Sequence, residues 1–449
     1  MDKKISFSNY LVIGVMLFAL FFGAGNLIFP ASLGQNAGTN LWPAVLGFLA
    51  TGIGLPFLGT LAMGFSGSKN LQDLSNRVHP IFAVIFTSLL YLTIGPFFAL
   101  PRTGAVSYEI GIQPFIAPEY AQIGLLIFTI FFFGVTMLFS LNPSKIVDNV
   151  GKYLAPGIIV GLFILLFFVV IKPMGGFEEP HGSYVDKAFM TGFTEGYNTM
   201  DALASLVFGI IVITAIRSMG VNSTKGIIGA TAKAGGVAIF FLGLIYAGIA
   251  YLGATSTGIF GLFDNGGPVL SSASEHYFGS FGAVLLSVVI FLACLTTSIG
   301  LLTACGEYFH TLMPKISYKA FVIFFSVFTC IIANFGLSNI ITYSIPVLML
   351  LYPLAIVLIL LTFLSPFFNH ARIVYVSVMF VTFLISVIDG FKALCDSLEI
   401  EHYSWLKPIV SFYENSLPFY NVGLGWLIPF VIVTIITGVI ARFQKVATV

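Results

Sequence analysis

Long apolar stretches separated by short polar connectors run through the whole chain. A helix needs about 20 apolar residues to cross the hydrocarbon core of a bilayer. Windows of that length predict about twelve membrane-spanning helices, with approximate bounds 9–33, 41–65, 80–101, 120–141, 152–171, 190–216, 226–253, 279–307, 318–336, 338–363, 372–391 and 421–441. The pattern therefore predicts an all-α integral membrane protein.

Two short polar segments marked by glycine interrupt these apolar stretches, namely Gly23 to Asn26 (GAGN) and Gly196 to Thr199 (GYNT). The bilayer core has no water to pair with free backbone groups, so a helix unwinds there only where protein or a polar cavity faces it. Breaks at corresponding positions of two halves indicate the central site of a transporter. A glycine hinge or a close helix crossing is the alternative interpretation.

The two breaks also predict an internal repeat. Predicted helices one to five and six to ten each begin with a broken helix, and an odd number of helices makes the second copy cross the membrane in the opposite sense. We therefore expect two inverted five-helix repeats, at residues 1–175 and 176–365, followed by two additional membrane helices at 366–449.

Composition supports a membrane protein and argues against several other functions. Of 449 residues, 58% are hydrophobic and 8% are charged, against about 25% charged in soluble domains. The net charge of +1 gives no indication of nucleic acid binding. The four cysteines show no CxxC spacing, and no catalytic motif lies within the predicted spans. We therefore expect neither an enzyme nor a resident cofactor.

The basic residues predict the orientation of the chain. If the N-terminus lies inside the cell, 14 of the 19 lysines and arginines fall on the cytoplasmic side and 5 on the external side. This distribution agrees with the positive-inside rule. We therefore expect a multi-pass protein with both termini in the cytoplasm.

The composition of the first break suggests what it binds. Free amides at the start of the following half-helix, together with the positive end of its dipole, favour an anion such as a carboxylate. The unpaired carbonyls that end the preceding half-helix can ligate a small cation. Asn26 strengthens this interpretation because an unsatisfied amide in hydrocarbon is costly.

Three ionisable residues lie at or near the predicted membrane region. Asp201 follows the second break, where an ionisable group marks a ligand site or a gate. An aspartate at that position also caps a half-helix by accepting from its free amides, so both interpretations stay open. Arg102 and Glu109 form either a gate or, more simply, an ion pair at the external end of predicted helix three.

Adjacent hydroxyls occur in predicted helix eight, at Thr296 and Thr297. Their neutral oxygens suit a weakly held monovalent cation. Against this, threonines in membrane helices commonly bond back to a carbonyl one turn earlier.

Three motifs together resemble a known family: FFGAGNLIFP near the N-terminus, PRTGAVSYE after predicted helix three and GYNTMDALASLVFG in predicted helix six. They resemble the bacterial branched-chain amino acid carriers, which are similar to the amino acid, polyamine and organocation superfamily with its five-plus-five inverted repeat. The resemblance implies a symporter that imports leucine, isoleucine and valine across the bacterial cytoplasmic membrane with a cation, usually sodium. A proton-coupled carrier of another apolar solute and an ion channel stay open as alternatives.

The resemblance also implies site residues. Substrate contacts are expected from both breaks and from the aspartate after the second: Gly23, Ala24, Gly25, Asn26, Gly196, Tyr197, Asn198, Thr199 and Asp201. A sodium site is expected from helices one and eight: Ala19, Phe22, Ala293, Thr296 and Thr297. Tyr197 is expected to cover the aliphatic side chain, in an apolar pocket that Phe97 and Phe98 also line.

Two departures from the leucine transporter of that superfamily affect these expectations. That protein pairs an arginine before the proline of the first motif with a carboxylate in helix ten, whereas this chain has Phe29 before Pro30 and no acid in helix ten. The external gate is therefore expected to differ. Proton-coupled relatives place a lysine of helix five at the sodium position, and the only candidate here, Lys152, is expected at the cytoplasmic end. Sodium is favoured, and protons stay open.

Overall fold

A computed structural model describes residues 6–141, 155–400 and 406–446, and within these ranges every regular element is helical. Eight helical stretches are long and apolar enough to cross a membrane, and four shorter apolar helices accompany them. They correspond to the spans that the sequence predicts. The predicted all-α membrane architecture is therefore confirmed.

The α-helices are numbered here in chain order. The first nine are α1 Phe7–Phe21, α2 Ala24–Ala37, α3 Leu41–Leu49, α4 Leu55–Ser66, α5 Leu71–Ser75, α6 Pro80–Leu92, α7 Ala99–Gly111, α8 Ala121–Ser140 and α9 Ala155–Ile171. The remaining nine are α10 Tyr184–Glu195, α11 Asp201–Ser218, α12 Thr224–Phe260, α13 Gly266–Leu312, α14 Tyr318–Ala333, α15 Leu337–Leu364, α16 Arg372–Ser397, α17 Lys407–Ser416 and α18 Leu427–Val446.

The first and sixth spans are broken where the sequence predicts. In the first span, α1 ends at Phe21 and α2 begins at Ala24, with Gly23 in an extended conformation between them. In the sixth span, α10 is followed by a 3-10 turn and then by Met200 at φ 63°, after which α11 begins. A methionine in the left-handed region is unfavourable unless the surrounding structure imposes it. Both spans are therefore interrupted by residues with non-helical backbone conformations.

The third span contains a break that the sequence analysis did not predict. Between α6 and α7, residues Thr93–Phe97 form a π-helical turn in which Gly95 has φ −91° and ψ −125° and Pro96 follows. Proline removes a helical donor and commonly marks a kink. The span continues to Gly111, beyond the predicted end at 101. Arg102 consequently lies inside the protein, 1% exposed.

Small residues bring α2 against its neighbours at the centre of the bundle. A Cβ added at Gly34 would lie 1.9 Å from the carbonyl oxygen of Ala250 in α12, and one at Gly253 would lie 2.2 Å from that of Ala31. Helices approach this closely only through small side chains. The contact holds the second half of the first span firmly against α12, next to the break.

Several predicted boundaries coincide with glycines of positive φ. The eighth span is predicted to begin at 279, and α13 kinks at Gly279 with φ 59°, after an additional helical segment. Spans nine and ten separate at Gly336, φ 86°. Helix α16 packs along α15 and also against α18, so the last two spans lie at one side of the bundle. The residue boundaries of the two repeats stay a prediction.

Candidate functional site

The first break leaves backbone groups without their helical partners. The Phe22 amide still donates to the Phe18 carbonyl at 2.7 Å. A continuous helix would direct the Gly23 amide to the Ala19 carbonyl, but here that amide donates to Asn26 Oδ1 at 2.9 Å. Asn26 thereby caps the break, and the Ala19 carbonyl is free of its helical donor.

The second break is stabilised by its own side chains. The Thr199 hydroxyl donates to the Gly196 carbonyl at 2.9 Å and accepts from the Asp201 amide at 3.3 Å. Asn198 Nδ2 donates to Glu195 Oε2 at 2.9 Å. Thr199 therefore satisfies the start of α11, a role that the sequence analysis considered for Asp201.

The Asp201 carboxylate instead joins the two breaks. Asp201 Oδ2 accepts hydrogen bonds from Asn26 Nδ2 and, at 3.0 Å, from the Tyr246 hydroxyl of α12. Asn26 Nδ2 also contacts the Tyr246 oxygen. All three residues are at most 4% exposed. A buried carboxylate held by two neutral donors connects the first, sixth and seventh spans.

A small cavity of about 30 Å³ lies where the breaks meet. A buried water needs roughly 10 to 15 Å³ of such volume, so this conformation encloses a site without open space for a larger molecule. The lining residues come from the two breaks, the third span and α13: Leu20, Phe21, Gly23, Ala24, Gly25, Asn26, Ile94, Ala99, Arg102, Thr103, Thr199, Met200, Asp201, Ala204, Phe208, Thr297 and Leu301.

The residues expected to line an apolar pocket, Phe97, Phe98 and Tyr197, lie outside the lining of the central cavity in this conformation. Phe97, at the end of the π-helical turn, is 37% exposed and its ring packs on Phe328. Tyr197 stacks on Tyr352 of α15, with ring centroids 4.3 Å apart. Neither they nor Phe98 line the cavity. Its apolar wall comes from residues that were not predicted: Phe21, Ile94, Met200, Phe208 and Leu301.

Arg102 lies between the third, sixth and tenth spans. Its Nη1 donates to the Asn198 carbonyl at 2.6 Å and its Nη2 to the Ser344 hydroxyl at 3.2 Å. The guanidinium carbon lies 5.0 Å from the centre of the Phe29 ring, a cation–π distance. The expected surface ion pair with Glu109 is wrong, because the longer third span buries Arg102 and Glu109 accepts from Asn265 instead, at 2.7 Å.

Of the residues expected to bind sodium, Thr297 and Phe22 are in contact beside the first break. The Thr297 hydroxyl donates to the Phe22 carbonyl at 3.2 Å, and a Cβ added at Gly23 would lie 2.9 Å from Thr297 Oγ1. The Thr296 hydroxyl donates to the Ala293 carbonyl at 2.8 Å, which is the local bond considered above as the alternative. The neighbourhood therefore offers neutral carbonyl and hydroxyl oxygens, a ligand set that suits a monovalent cation. Lys152 lies outside the described residues.

A larger cavity of about 320 Å³ lies on the side of the molecule where α1 begins. Leu20 lines both this vestibule and the central cavity. The vestibule is bordered by exposed Asn70, Glu307 and Thr311. Next to the second break, Arg102 donates to the Asn198 carbonyl and Tyr197 stacks on Tyr352.

Residues 6–444 match the family described as branched-chain amino acid transport protein. This chain belongs to that family. BrnQ of Bacillus subtilis strain 168, a branched-chain amino acid permease, is 48% identical over 429 residues, 96% of each chain. The permease BraB of the same organism is 46% identical over 99% of this chain and 98% of its own length. The branched-chain amino acid transport system 2 carrier protein of Pseudomonas aeruginosa is 41% identical over 97% of this chain and 96% of its own length.

Solved structures of distant transporters share the fold of this family member. MhsT in complex with L-phenylalanine aligns with a TM-score of 0.56 and 16% identity, over 88% of this chain and 100% of MhsT. MHP1, a nucleobase-cation-symport-1 family transporter, aligns with a TM-score of 0.56 and 14% identity, over 87% of this chain and 92% of MHP1. The predicted leucine-transporter-like fold is confirmed. The relatives are named as permeases and carriers, so the prediction of a transporter and not an enzyme is also confirmed.

Several of the residues that line the central cavity were identified from the sequence, and others were missed. Gly23 to Asn26, Thr199 and Asp201 line the cavity as expected, whereas Gly196 to Asn198 lie behind it. Tyr246 was missed, although a tyrosine hydroxyl deep in an apolar helix needs a polar partner. Ser344 was also missed, since a lone membrane serine commonly bonds to its own helix.

Proposed function

We propose that this protein is a secondary active symporter that imports leucine, isoleucine and valine across the bacterial cytoplasmic membrane, coupled to sodium. Membership of the branched-chain amino acid transport protein family supports the substrate class. The structural observation behind the proposal is the meeting of two broken spans on one small cavity. Such breaks at the centre of inverted repeats form the binding sites of secondary transporters.

In the proposed site, the first break binds the substrate carboxylate. The free amides of Ala24 and Gly25 begin α2, and amides with a positive dipole end bind anions. The aliphatic side chain would contact the apolar wall formed by Phe21, Ile94 and Phe208. One methylene in such a pocket is worth only about 1 to 3 kcal/mol. The three branched-chain amino acids are therefore expected to compete with one another.

Sodium is proposed to bind on the other side of the same break. Its ligands would be the carbonyls of Ala19 and Phe22 from α1, with Ala293, Thr296 and Thr297 from α13. The Ala19 carbonyl has lost its helical donor, and Thr297 already contacts the Phe22 carbonyl. Both threonine hydroxyls donate to carbonyls here, and a bound cation would take their lone pairs after rotation about χ1. Binding of the ion would then be coupled to the packing of α1 against α13 at the first break.

A proton is the second candidate for the coupling ion, and Asp201 is the observation that favours it. Its buried carboxylate accepts hydrogen bonds from two neutral donors, Asn26 and Tyr246. A carboxylate in such surroundings is where a proton-coupled carrier would bind its proton. The neutral oxygens beside the first break favour sodium, and direct measurement distinguishes the two.

We propose an alternating-access cycle in which the site opens in turn to each side. The vestibule on the side of α1, separated by Leu20, would be the release path. The distribution of basic residues supports a cytoplasmic position for this side and for both termini. On the external side, Arg102 and the Tyr197–Tyr352 stack would separate when the site opens outward.

Counterflow of labelled leucine in proteoliposomes tests the proposal. We expect saturable exchange that requires sodium, competes with valine and isoleucine, and is weakly affected by alanine. Exchange that persists without sodium but collapses without a pH gradient would replace sodium by a proton. Ion conductance without saturable leucine flux would contradict the proposal and favour a channel.

A further inference from the structure

Two buried side chains of opposite charge, Arg102 and Asp201, line the central cavity without pairing with each other. Arg102 is 1% exposed and Asp201 is 4% exposed, and both border the same cavity. Among the described residues, neither lies within 4.0 Å of an oppositely charged group. Burial of a charge is costly unless it is paired. Both side chains border the same small cavity, and neither has a directly paired group of opposite charge among the described residues.

The protein compensates the Arg102 charge only in part. The guanidinium donates to two neutral oxygens, the Asn198 carbonyl and the Ser344 hydroxyl, and rests over the Phe29 ring. Its buried Nε has no hydrogen-bond partner. The Asn198 carbonyl belongs to the 3-10 turn that follows α10. The carbonyl end of a helix carries on the order of half a negative elementary charge, so this carbonyl offsets only part of the positive charge of Arg102. Arg102, which lines the cavity, therefore keeps one buried donor without a hydrogen-bond partner.

Asp201 is compensated in a similar, incomplete way. Its carboxylate accepts from the neutral Asn26 and Tyr246 side chains, and it occupies the first position of α11. The positive end of that helix offsets part of its charge. Each carboxylate oxygen has two lone-pair directions, so acceptor capacity remains for a further donor.

We propose that Arg102 and Asp201 recognise the two charges of the amino acid zwitterion. Arg102 would bind the α-carboxylate together with the amides of Ala24 and Gly25, and Asp201 would bind the α-ammonium. This inference rests on the proposed function and names the groups that read its substrate. In addition to the free amides of the first break, the site would then contain one positively and one negatively charged side chain.

The arrangement of the first break supports this assignment. A Cβ added at Gly25 would lie 3.3 Å from the Phe29 ring, and Arg102 lies over that same ring. The guanidinium is thus brought towards the first turn of α2. Asn26, in the same turn, binds Asp201. Both charges therefore approach the start of α2, where the proposed substrate head group would lie.

The proposal predicts selectivity for molecules that carry both charges. A bidentate guanidinium–carboxylate pair is strong and directional, and an ammonium has three donors for the aspartate and nearby oxygens. A ligand that lacks one charge leaves one buried group unpaired, and such a mismatch is what polar sites reject most strongly. Apolar amines and carboxylates of the same shape should therefore bind poorly.

Inhibition of labelled leucine counterflow by three ligands at fixed sodium and pH tests the inference. They are leucine, 3-methylbutylamine, which lacks the carboxylate, and 4-methylpentanoate, which lacks the ammonium. In the wild type, each analogue should inhibit about 10- to 100-fold more weakly than leucine. Arg102→Gln should weaken leucine and 4-methylpentanoate by about 10-fold or more and leave 3-methylbutylamine within about twofold. Asp201→Asn should produce the reciprocal pattern.

Glu109→Gln is the matched control, because it removes a charge from the same helix without touching the cavity. It should leave the ratios among the three ligands unchanged. If Arg102→Gln is not recovered as folded protein, Arg102→Lys replaces it and should shift the ratios in the same direction by less. Wild-type binding of 3-methylbutylamine as tight as that of leucine would overturn the inference without any variant.

Equal loss of all three ligands in the Arg102 variants, or unchanged ratios, would also overturn it and leave Arg102 as a support for the Asn198 carbonyl. In either case leucine uptake by the wild type would still stand. Absence of saturable leucine uptake by the wild type would instead contradict the proposed function, and this is measured before the variants are compared.

Discussion

The two broken spans solve the same problem in different ways. In the first span, two residues without polar side chains separate α1 from α2, and a single side chain, Asn26, caps the gap. In the sixth span, a 3-10 turn and a left-handed methionine separate α10 from α11, and Thr199, Asn198 and Arg102 satisfy the turn. The first break thus leaves backbone groups free to bind ligands. The second break is stabilised by side-chain hydrogen bonds and positions Asp201.

Asn26→Leu should have the largest effect on this comparison, because Asn26 serves both breaks. The change removes the cap of the Gly23 amide and a donor to Asp201, and it leaves buried polar groups unsatisfied, at about 1 to 3 kcal/mol each. We expect kcat/KM for leucine uptake to fall by about 100-fold or more. Asn36→Leu, on the same helix with its side chain bonded to the Ser32 carbonyl, is the control. Comparable losses in both variants would contradict a special role for Asn26.

The two faces of the first break can be separated with Gly23→Ala and Gly25→Ala. The added Cβ at Gly23 would lie 2.9 Å from Thr297 Oγ1, and the one at Gly25 would lie 3.3 Å from the Thr199 Cα. We expect Gly23→Ala to raise the sodium concentration for half-maximal uptake about 10-fold, and Gly25→Ala to raise the leucine KM about 10-fold instead. Uptake titrated against each solute measures both. Identical changes in the two variants would show that the faces are not distinct.

The double variant Thr296→Ala with Thr297→Ala lacks both hydroxyls. It should weaken the dependence of uptake on sodium without changing which amino acid is preferred. Two proposed ligands disappear, so half-maximal activation should need about 10-fold more sodium while the ranking of leucine, isoleucine and valine stays the same. Ser298→Ala, which removes a neighbouring hydroxyl bonded to Thr136, should leave sodium activation near the wild-type value. Unchanged sodium activation in the double variant would remove the proposed ion site.

The smallest effect is expected at the support of the second break. The Thr51 hydroxyl donates to the Phe193 carbonyl at 2.7 Å and lies behind Gly196, outside the cavity. Thr51→Val should lower stability by about 0.5 to 1 kcal/mol and leave uptake per folded protein within about twofold. Thermal unfolding in detergent, with Thr51→Ser as the hydrogen-bonding control, measures the change. A strong change in leucine KM would show that the second break is less rigidly built than the structure indicates.

The sequence predicted the spans well because each is a membrane-length apolar run, and it predicted both breaks because GAGN and GYNT combine glycine with polar groups. The third break was missed because Gly95 and Pro96 lie near the predicted end of a span, where they are common connectors. The predicted third span was therefore too short, and Arg102 was predicted at the surface. The position of a charged residue within the membrane depended on one kink, which apolar periodicity does not reveal.

Contacts between distant spans were less predictable than the breaks. Asp201 was identified as important from its depth alone, but its partners Asn26 and Tyr246 lie 175 and 45 positions from it along the chain. No spacing rule within one helix links such residues. The Tyr197–Tyr352 stack likewise depends on how α15 packs against the second break. These contacts follow from tertiary packing, and only the structure shows them.

A high-resolution structure with leucine and sodium bound tests the central claim most directly. The account predicts the leucine carboxylate at hydrogen-bond distance, about 3 Å, from the amides of Ala24 and Gly25, with sodium between the Phe22 carbonyl and Thr297. Leucine bound elsewhere, with the first and sixth spans forming continuous helices around an empty centre, would contradict it.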